Sequence, residues 1–273
     1  MTGHDFADRY GPWALVLGAG AGLGESYARQ LARRGLDLVL VDRDADALEA
    51  LAGGLRSSVA CRRLDVDLGL PDAASTLVDA VADLDVGLLV ANAAASHVGF
   101  FREQPLASIE AQLQVNLATP VALLHRLLPR LTERDRSGVI LMSSLSSRRG
   151  APLVATYAAS KAYLAILAES LWDELADDGI DVLGVLPGST RTPGWLSSLP
   201  QSGLGTATLM VPDDVVAEAL DALGSGQPTL VAGSSNRDSE AMLESMPRAD
   251  AVRIVGQVMR DMYPDERDID ISL

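Results

Sequence analysis

The sequence predicts a doubly wound α/β fold, in which one parallel sheet of about seven strands carries helices on both faces. Three observations support this prediction: short continuously apolar segments, helical spacing in the segments between them, and a glycine-rich turn directly after the first apolar segment. Strands that lack strict polar alternation are buried on both faces, as in a parallel sheet covered by helices. We therefore expect a single domain over 1–273, with a core at about 11–233 and a C-terminal helical extension at about 234–273.

The elements alternate regularly along the chain. Short apolar segments predict strands at 13–17, 36–41, 59–64, 86–91, 139–142, 182–186 and 229–232. Helical spacing or helix-start residues predict helices at 25–34, 45–55, 71–82, 156–176 and 212–223, and a long helical region that ends at Leu131. No internal repeat or flexible linker divides this series.

The segment after Ala232 has a different pattern. Two methionines precede Pro247, and apolar residues then recur at helical spacing: Val252, Val255, Met259 and Met262. This pattern predicts a helical appendage that covers the core or contacts a second subunit. A lid over a substrate pocket is the alternative interpretation.

The composition excludes several classes of function. The 37 acidic and 22 basic residues give a formal charge of −15, and no basic stripe is present, so nucleic acid is not an expected partner. No segment approaches the roughly 20 apolar residues of a membrane span. One cysteine and three scattered histidines predict neither disulfides nor a metal site. We expect a cytoplasmic protein without a membrane partner.

Four glycines follow the first predicted strand and open the first predicted helix: Gly18, Gly20, Gly22 and Gly24. Glycines allow the backbone to turn tightly and to approach a pyrophosphate, whose charge the helix N-terminus stabilises, as in a Rossmann-type sheet. Asp42 ends the second strand, where a carboxylate accepts hydrogen bonds from an adenosine ribose and repels a 2′-phosphate. We therefore predict NAD in preference to NADP, although Arg43 could pair with that phosphate. A methyltransferase would show the same features, so the reaction must be inferred from other residues.

Tyr157 and Lys161 are four residues apart in a predicted helix and therefore share a face. An ammonium beside a phenol favours the phenolate, which can take the hydroxyl proton of an alcohol while hydride leaves the carbon. Lys161 is the only lysine among the 22 basic residues. Ser144 ends the fifth predicted strand, at the sheet edge where functional groups gather, and can donate to a substrate oxygen.

With these residues in place, the chain resembles the classical short-chain dehydrogenase/reductase family from about Trp13 to Ala232. The resemblance implies a catalytic tetrad of Asn116, Ser144, Tyr157 and Lys161. In this tetrad Tyr157 is the acid or base, Ser144 polarises the carbonyl, and Lys161 lowers the tyrosine pKa and holds the nicotinamide ribose. Asn116 positions a water that passes the proton to solvent.

The resemblance also completes the predicted cofactor site. It adds Leu23 of the glycine turn, and the following residues further along the chain: Asp65, Val66, Asn92, Ala93, Pro187, Gly188, Thr190 and Thr192. In the family, the position of Asp65 lies near the adenine and that of Thr192 binds the nicotinamide carboxamide. Two positions depart from the family pattern, since Leu17 replaces a threonine that braces the turn and Ala94 replaces a glycine.

Apolar residues after Pro187–Gly188 occupy the position of the family's mobile substrate loop: Trp195, Leu196, Leu199, Leu204, Leu209 and Met210. Residues for an opposite wall lie upstream: His97, Phe100, Phe101, Leu153 and Val154. Several of these residues could instead pack on the core, and His97 is more typical of a loop residue than of a catalyst. The functional interpretation is a pocket for a hydrophobic secondary alcohol or ketone.

Two alternatives stay open at this point. The segment 25–42 also resembles the branch of the family that acts on 3-oxoacyl thioesters and hydroxysteroids. A non-catalytic dinucleotide sensor on the same fold is the alternative of another class, although it would not need the full tetrad. The family assembles through its two long helices, here about 106–131 and 156–176, so we expect a homodimer or homotetramer.

Overall fold

The computed structural model describes residues 3–197, 209–263 and 268–272. Its strands are β1 (Trp13–Leu17), β2 (Asp37–Asp42), β3 (Cys61–Asp65), β4 (Val86–Ala91), β5 (Ala95–Gly99), β6 (Ser137–Met142), β7 (Ile180–Leu186), β8 (Thr229–Val231) and β9 (Asp268–Ser272). Seven of them form a parallel sheet in the order β3-β2-β1-β4-β6-β7-β8. This sheet confirms the predicted fold.

Helices cover the sheet. They are α1 (Gly3–Tyr10), α2 (Gly22–Arg33), α3 (Ala45–Leu55), α4 (Ala73–Ala80), α5 (Leu106–Leu113), α6 (Thr119–Leu131), α7 (Ala155–Glu174), α8 (Pro193–Ser197), α9 (Pro212–Ala222), α10 (Ser234–Glu244) and α11 (Arg248–Met262). A π-helical turn, Gln114–Ala118, joins α5 to α6, and a 3₁₀ turn, Leu145–Ser147, follows β6. None of the helices in the described part of the chain is long and apolar enough to cross a membrane.

The strand order reverses next to β1, and this reversal positions the site. β1 pairs with β2 on one side and with β4 on the other, so the connections leave toward opposite faces of the sheet. A crevice opens at such a switch point, outside the carboxyl ends of the strands. The glycine turn, the end of β2 and the end of β4 all meet there.

Two apolar layers hold the helices against the sheet. Successive residues of a strand point to opposite faces, so Ala14 and Val16 of β1 pack in one layer while Leu15 and Leu17 pack in the other. All four side chains are buried. Each buried Leu or Val contributes roughly 1.5–3 kcal/mol relative to exposure, so both faces stabilise the sheet.

Three features differ from the predicted series. α1 was not predicted, because its only large buried apolar residues are Phe6 and Tyr10 in an otherwise polar segment. The helical region before Leu131 is interrupted by the π-helical turn and preceded by β5. The C-terminal extension is helical in α10 and α11, but it also contributes β9, which pairs antiparallel with β5. A purely helical extension was therefore an incomplete prediction, since such a pairing depends on a partner distant in sequence.

Candidate active site

The glycine turn is shaped by close approaches that only glycine permits. Gly18 and Gly22 have positive φ values of 72° and 59°, the left-handed region that side chains disfavour. A Cβ at Gly24 would overlap the carbonyl oxygen of Gly18, so the first turn of α2 packs directly on the loop. The N-cap residue of α2, Ala21, has no side-chain cap, and the helix N-terminus is therefore open toward the crevice.

Asp42 is held at the end of β2 by backbone N–H groups. Gly20 N donates to Oδ2 at 2.9 Å, and Asp44 N donates to Oδ1 at 3.1 Å. These bonds orient the carboxylate beside the glycine turn, with Arg43 exposed next to it. Each carboxylate oxygen keeps a further lone pair for a ligand hydroxyl.

Asn92 braces the turn from β4. Its Nδ2 donates to the carbonyl oxygens of Leu17 and Gly18 at 3.3 and 3.1 Å. The asparagine thus makes a bond between the turn and the fourth strand, where the family's threonine has been replaced by Leu17. Ala93 packs tightly on Gly18, because a Cβ added at Gly18 would lie only 2.8 Å from the Cα of Ala93.

A cleft of about 270 Å³ connects the glycine turn to the catalytic residues. Its lining includes the following residues of the predicted sites: Gly18, Gly20, Gly22, Leu23, Asp42, Arg43, Asn92, Tyr157, Lys161, Pro187 and Thr192. The structure therefore brings Tyr157 and Lys161 together with predicted nucleotide residues in one crevice, whereas Ser144 and Asn116 are not part of its lining.

A second groove continues from Gly18 and Asp42 past the end of β3. Val66 and Ala93 line it, together with Asp67 and Leu68. Asp65 is exposed at the end of β3, where it is the register partner of Asp42. Its place beside an adenine stays a prediction.

The turn after β7 presents its residues in different ways. Thr192 faces Gly22 and accepts a hydrogen bond from Trp195 N at 3.1 Å, which fixes the start of α8. The Thr190 hydroxyl is buried and donates to Gly188 O at 2.9 Å. Gly188 itself packs against Asn236 of α10, so it supports the turn from behind.

Ser144 caps the 3₁₀ turn after β6. Its Oγ accepts from Ser146 N at 3.2 Å and from the Ser146 hydroxyl at 3.0 Å. With these two bonds accepted, the hydroxyl hydrogen of Ser144 is the group left to donate. Burial raises the pKa of Tyr157 and a hydrogen bond with Ser144 partly opposes that rise, so that the net pKa is about 12.

Lys161 is almost wholly buried and lies beside Tyr157. Its Nζ is 5.6 Å from the centre of the tyrosine ring and donates to the carbonyl oxygen of Met142 at 2.8 Å. Burial lowers the pKa of Lys161 to about 7. An ammonium that is desolvated in this way exchanges its proton near neutral pH.

Asn116 lies within the π-helical turn and is fully buried. Its Oδ1 accepts from Ala95 N at 2.7 Å, and its Nδ2 donates to Ala95 O at 2.9 Å and to Ser160 Oγ at 3.0 Å. The side chain thus fixes the start of β5 against α7. Single π turns inside helices are frequent at functional sites.

The predicted substrate residues fall into different environments. Leu153 and Val154 are buried in an apolar cluster that also contacts Tyr157. His97 is buried in β5 with its Nδ1 3.2 Å from Ser108 Oγ, while Trp195 and Leu196 lie on α8. Phe100 and Phe101 are exposed. Leu199 and Leu204 lie outside the described residues.

Several contributing residues were not predicted. Ser143 donates to Lys161 O at 2.7 Å, and Asp44 lines the cleft and caps α3 by accepting from Ala47 N. An aspartate directly before a helix is a capping signal that was readable in the sequence. Ser160 carries no comparable signal, since its partner Asn116 is brought close by folding, and the local contact of Ser146 with Ser144 has no distinctive sequence pattern.

Comparisons with known proteins agree with this geometry. The family model described as short chain dehydrogenase matches residues 12–201. A 7beta-hydroxysteroid dehydrogenase of Clostridium sardiniense is 36% identical over 260 residues, which cover 94% of this chain and 99% of the relative.

Two solved structures extend the comparison. One, from a study of 7beta-hydroxysteroid dehydrogenase stereoselectivity, has a TM-score of 0.84 and 30% identity, covering 92% of this chain and 98% of the other. The second is a short-chain dehydrogenase from Sphingobium yanoikuyae in complex with NADPH. It has a TM-score of 0.76 and 29% identity, covering 87% of this chain and 97% of the other.

Proposed function

Because the chain belongs to the short-chain dehydrogenase family, we propose that it interconverts a hydroxysteroid-like secondary alcohol and its ketone by hydride transfer. The observation that carries the proposal is a cleft that joins Tyr157 and Lys161 to the glycine turn, with Ser144 hydrogen-bonded to Tyr157. The relatives named for 7beta-hydroxysteroids favour the steroid branch over a 3-oxoacyl thioester.

The cleft residues suit a nicotinamide dinucleotide. The bare backbone of the glycine turn and the uncapped N-terminus of α2 offer N–H groups to a pyrophosphate. Asp42 would hold the adenosine ribose, and Lys161 and Thr192 would hold the nicotinamide end. We propose NAD as the preferred cofactor, because a carboxylate beside the ribose opposes a 2′-phosphate. When bound, the dinucleotide donates or accepts the hydride.

The chain's own residues move the proton. Both lone pairs of Ser144 accept from Ser146, so its single hydroxyl hydrogen would turn from Tyr157 to the substrate oxygen when the substrate binds. In the direction of reduction Tyr157 gives its phenolic proton to that oxygen, and in oxidation its phenolate takes the proton from the alcohol. The raised pKa keeps Tyr157 protonated near neutral pH, which suits reduction. Oxidation therefore rises with pH, as the phenolate becomes populated.

Lys161 and Asn116 complete the proposed tetrad. Below its pKa of about 7 the Lys161 ammonium beside the ring would favour the phenolate and so oppose the effect of burial on the pKa of Tyr157. Asn116 holds the π-helical turn in place. A water bound at this turn would pass the proton on to solvent. Both roles belong to this proposal.

Turnover by a Tyr157→Phe variant tests the assignment. We expect kcat for ketone reduction to fall by about 10²–10⁴-fold, because the proton donor is lost, while NADH still binds with its fluorescence change. Tyr163→Phe is the matched control, since Tyr163 is exposed on the same helix and should keep wild-type turnover. Unchanged turnover in Tyr157→Phe would refute the mechanism. Absence of turnover in the wild-type protein, with NADH bound, would favour a dinucleotide sensor.

A further inference from the structure

A buried ion pair ties the C-terminal extension to the loop between Ser144 and Tyr157. Arg149 in that loop donates to both carboxylate oxygens of Glu240 on α10, at 2.7 and 2.8 Å. The two side chains are 5% and 8% exposed. A bidentate pair of this kind is directional, and burying it costs desolvation that surface pairs avoid.

The neighbouring arginine strengthens the same connection. Arg148 Nε donates to Glu240 at 3.1 Å, and its other nitrogen pairs with Glu244 one turn further along α10. Arg248, at the start of α11, donates to Arg148 O at 2.8 Å. Burial raises the pKa of Glu240, but the hydrogen bonds from the two arginines outweigh it, so the net pKa is lowered.

α11 packs directly against the loop that this ion pair holds. A Cβ at Gly256 would lie 3.2 Å from Pro152 Cγ, and a Cβ at Gly150 would be in ordinary contact with Val252 Cγ1 at 3.8 Å. Leu153 in this loop has a φ of 68°, which is costly for a leucine and persists where the surroundings hold it. Gly99 N donates to Leu153 O at 2.8 Å, which fixes that conformation from β5.

The apolar face of α11 ends beside the proposed proton donor. One cluster joins the loop, β5, α7 and α11, with these members: Val98, Ala151, Leu153, Val154, Tyr157, Ala158, Val255, Met259, Met262 and Tyr263. Methionines are flexible and adapt to irregular apolar shapes. A bulky apolar substrate at Tyr157 would therefore contact a wall whose position depends on α10 and α11.

We propose that Glu240 is a positioning residue that, through Arg149, holds α11 against the 145–154 loop as an apolar wall selecting bulky ketones. This inference rests on the proposed function, since it names a determinant of the substrate class at the same site. A small ketone reaches Ser144 and Tyr157 without using the wall. An ion pair that served stability alone would affect bulky and small ketones equally.

Steady-state kinetics of Glu240→Gln test the proposal, with an oxosteroid as the bulky ketone and cyclohexanone as the small one. We expect KM for the oxosteroid to rise by about tenfold or more, because the variant leaves buried arginine charge unpaired. The kcat/KM for cyclohexanone and the KM for the nucleotide should stay within about twofold, since neither depends on the wall. Glu244→Gln is the matched control: its residue is 54% exposed, and all constants should stay within about twofold.

Hydrogen exchange supplies a measurement that does not depend on turnover. Faster amide exchange at 145–154 and 248–263 in Glu240→Gln than in Glu244→Gln is expected. An equal loss of activity on both ketones, or exchange equal to that of the control, overturns the proposal. If the wild type reduces neither ketone, the proposed function fails, and exchange still decides whether Glu240 holds the wall.

Arg149→Lys provides a second variant should Glu240→Gln not fold. The lysine keeps the charge but loses the bidentate geometry. It should raise KM for the oxosteroid selectively, and unchanged kinetics in a folded Arg149→Lys protein would also overturn the proposal.

Discussion

Asp42 is the residue whose contacts bear most directly on cofactor choice. Its carboxylate accepts from Gly20 N and Asp44 N, so it is oriented before any ligand arrives. Preorganisation of this kind reduces the ordering that binding must otherwise bring about. We propose that the charge of Asp42 then favours a ribose without a 2′-phosphate.

An Asp42→Asn variant should shift preference from NAD toward NADP. Hydrogen bonds to a charged group contribute roughly 1.5–3 kcal/mol, so the ratio of kcat/KM values should change by about 10- to 100-fold. Asp46→Asn is the control, because this exposed carboxylate in the first turn of α3 is not part of the cleft lining. A wild-type protein with the lower KM for NADP would contradict the assignment.

Lys161 is a charged side chain that is buried beside the proposed proton donor, and its burial lowers the stability of the folded protein. Its only side-chain hydrogen bond among the described residues is to Met142 O, and burial lowers its pKa to about 7. Between pH 7 and its unfolded-state pKa of about 10.4, the unfolded chain binds more protons than the folded one. The loss of folding stability caused by burying the Lys161 charge is therefore full below pH 7 and decreases as the pH rises.

We expect Lys161→Met to be inactive but more stable than the wild type. Replacing a buried charge with an apolar side chain of similar length is often stabilising, by about 1–4 kcal/mol. Urea unfolding at pH 6.5 and pH 9 measures the effect, and the gain should be larger at pH 6.5. Leu164→Met on the same buried face controls for methionine itself and should show no such pH dependence. A Lys161→Met protein less stable at pH 6.5 would exclude this account.

At the scale of elements, the same residue type has opposite consequences in neighbouring helices. Gly24 in α2 lies against the carbonyl oxygen of Gly18, whereas Gly53 in α3 has open space around the position of a Cβ. The first glycine is required by packing of helix on turn. The second contributes only backbone freedom, which weakens its helix.

Alanine at these two positions should therefore act in opposite directions. Gly24→Ala forces the turn apart, and we expect loss of NADH binding, measured by nucleotide fluorescence. Gly53→Ala should raise the free energy of unfolding by about 0.5–1 kcal/mol with NADH binding unchanged. The two variants control for each other, and normal NADH affinity in Gly24→Ala would show that the turn tolerates a side chain.

At the scale of the whole molecule, α5 and α7 present apolar side chains on the outer surface. Leu113 and Ile166 are 42% and 62% exposed, and Tyr163 lies beside them on α7. Leu113 and Tyr163 line a shallow groove together with the π-helical turn, and Ile166 lies three residues further along α7 from Tyr163. Exposed apolar patches of this kind mark interaction surfaces, and we propose that a second copy of the chain covers this one.

Light scattering should give a dimer or tetramer of the 28.7 kDa chain. Ile166→Asp should lower the assembled mass, because it places a charge within the apolar contact. Leu70→Asp alters another exposed leucine, 51% exposed, and should leave the mass unchanged. A wild-type mass of one chain would contradict the proposal.

Much of the fold could be predicted because its signals are local. Apolar segments such as Leu88–Val90 are buried on both faces wherever the sheet places them, and glycine at Gly18 or Gly22 is demanded by the turn itself. The spacing of Tyr157 and Lys161 follows from helix geometry alone. The Tyr157–Lys161 pair proposed for proton transfer and the glycine turn proposed for the nucleotide could therefore be singled out before their neighbours were known.

The amino-acid sequence by itself predicted the fold class, the glycine turn and the Tyr157–Lys161 pair, because each depends on period or spacing within a short segment, and its resemblance to the family implied Asn116 and the rest of the proposed tetrad. Only the tertiary structure decided that Asn116 meets Ser160, that Glu240 meets Arg149, and that α11 lies beside Tyr157. Those contacts join segments that reach each other only after the sheet has formed. A side chain's partner across such a distance depends on packing, and no periodicity along the chain encodes it.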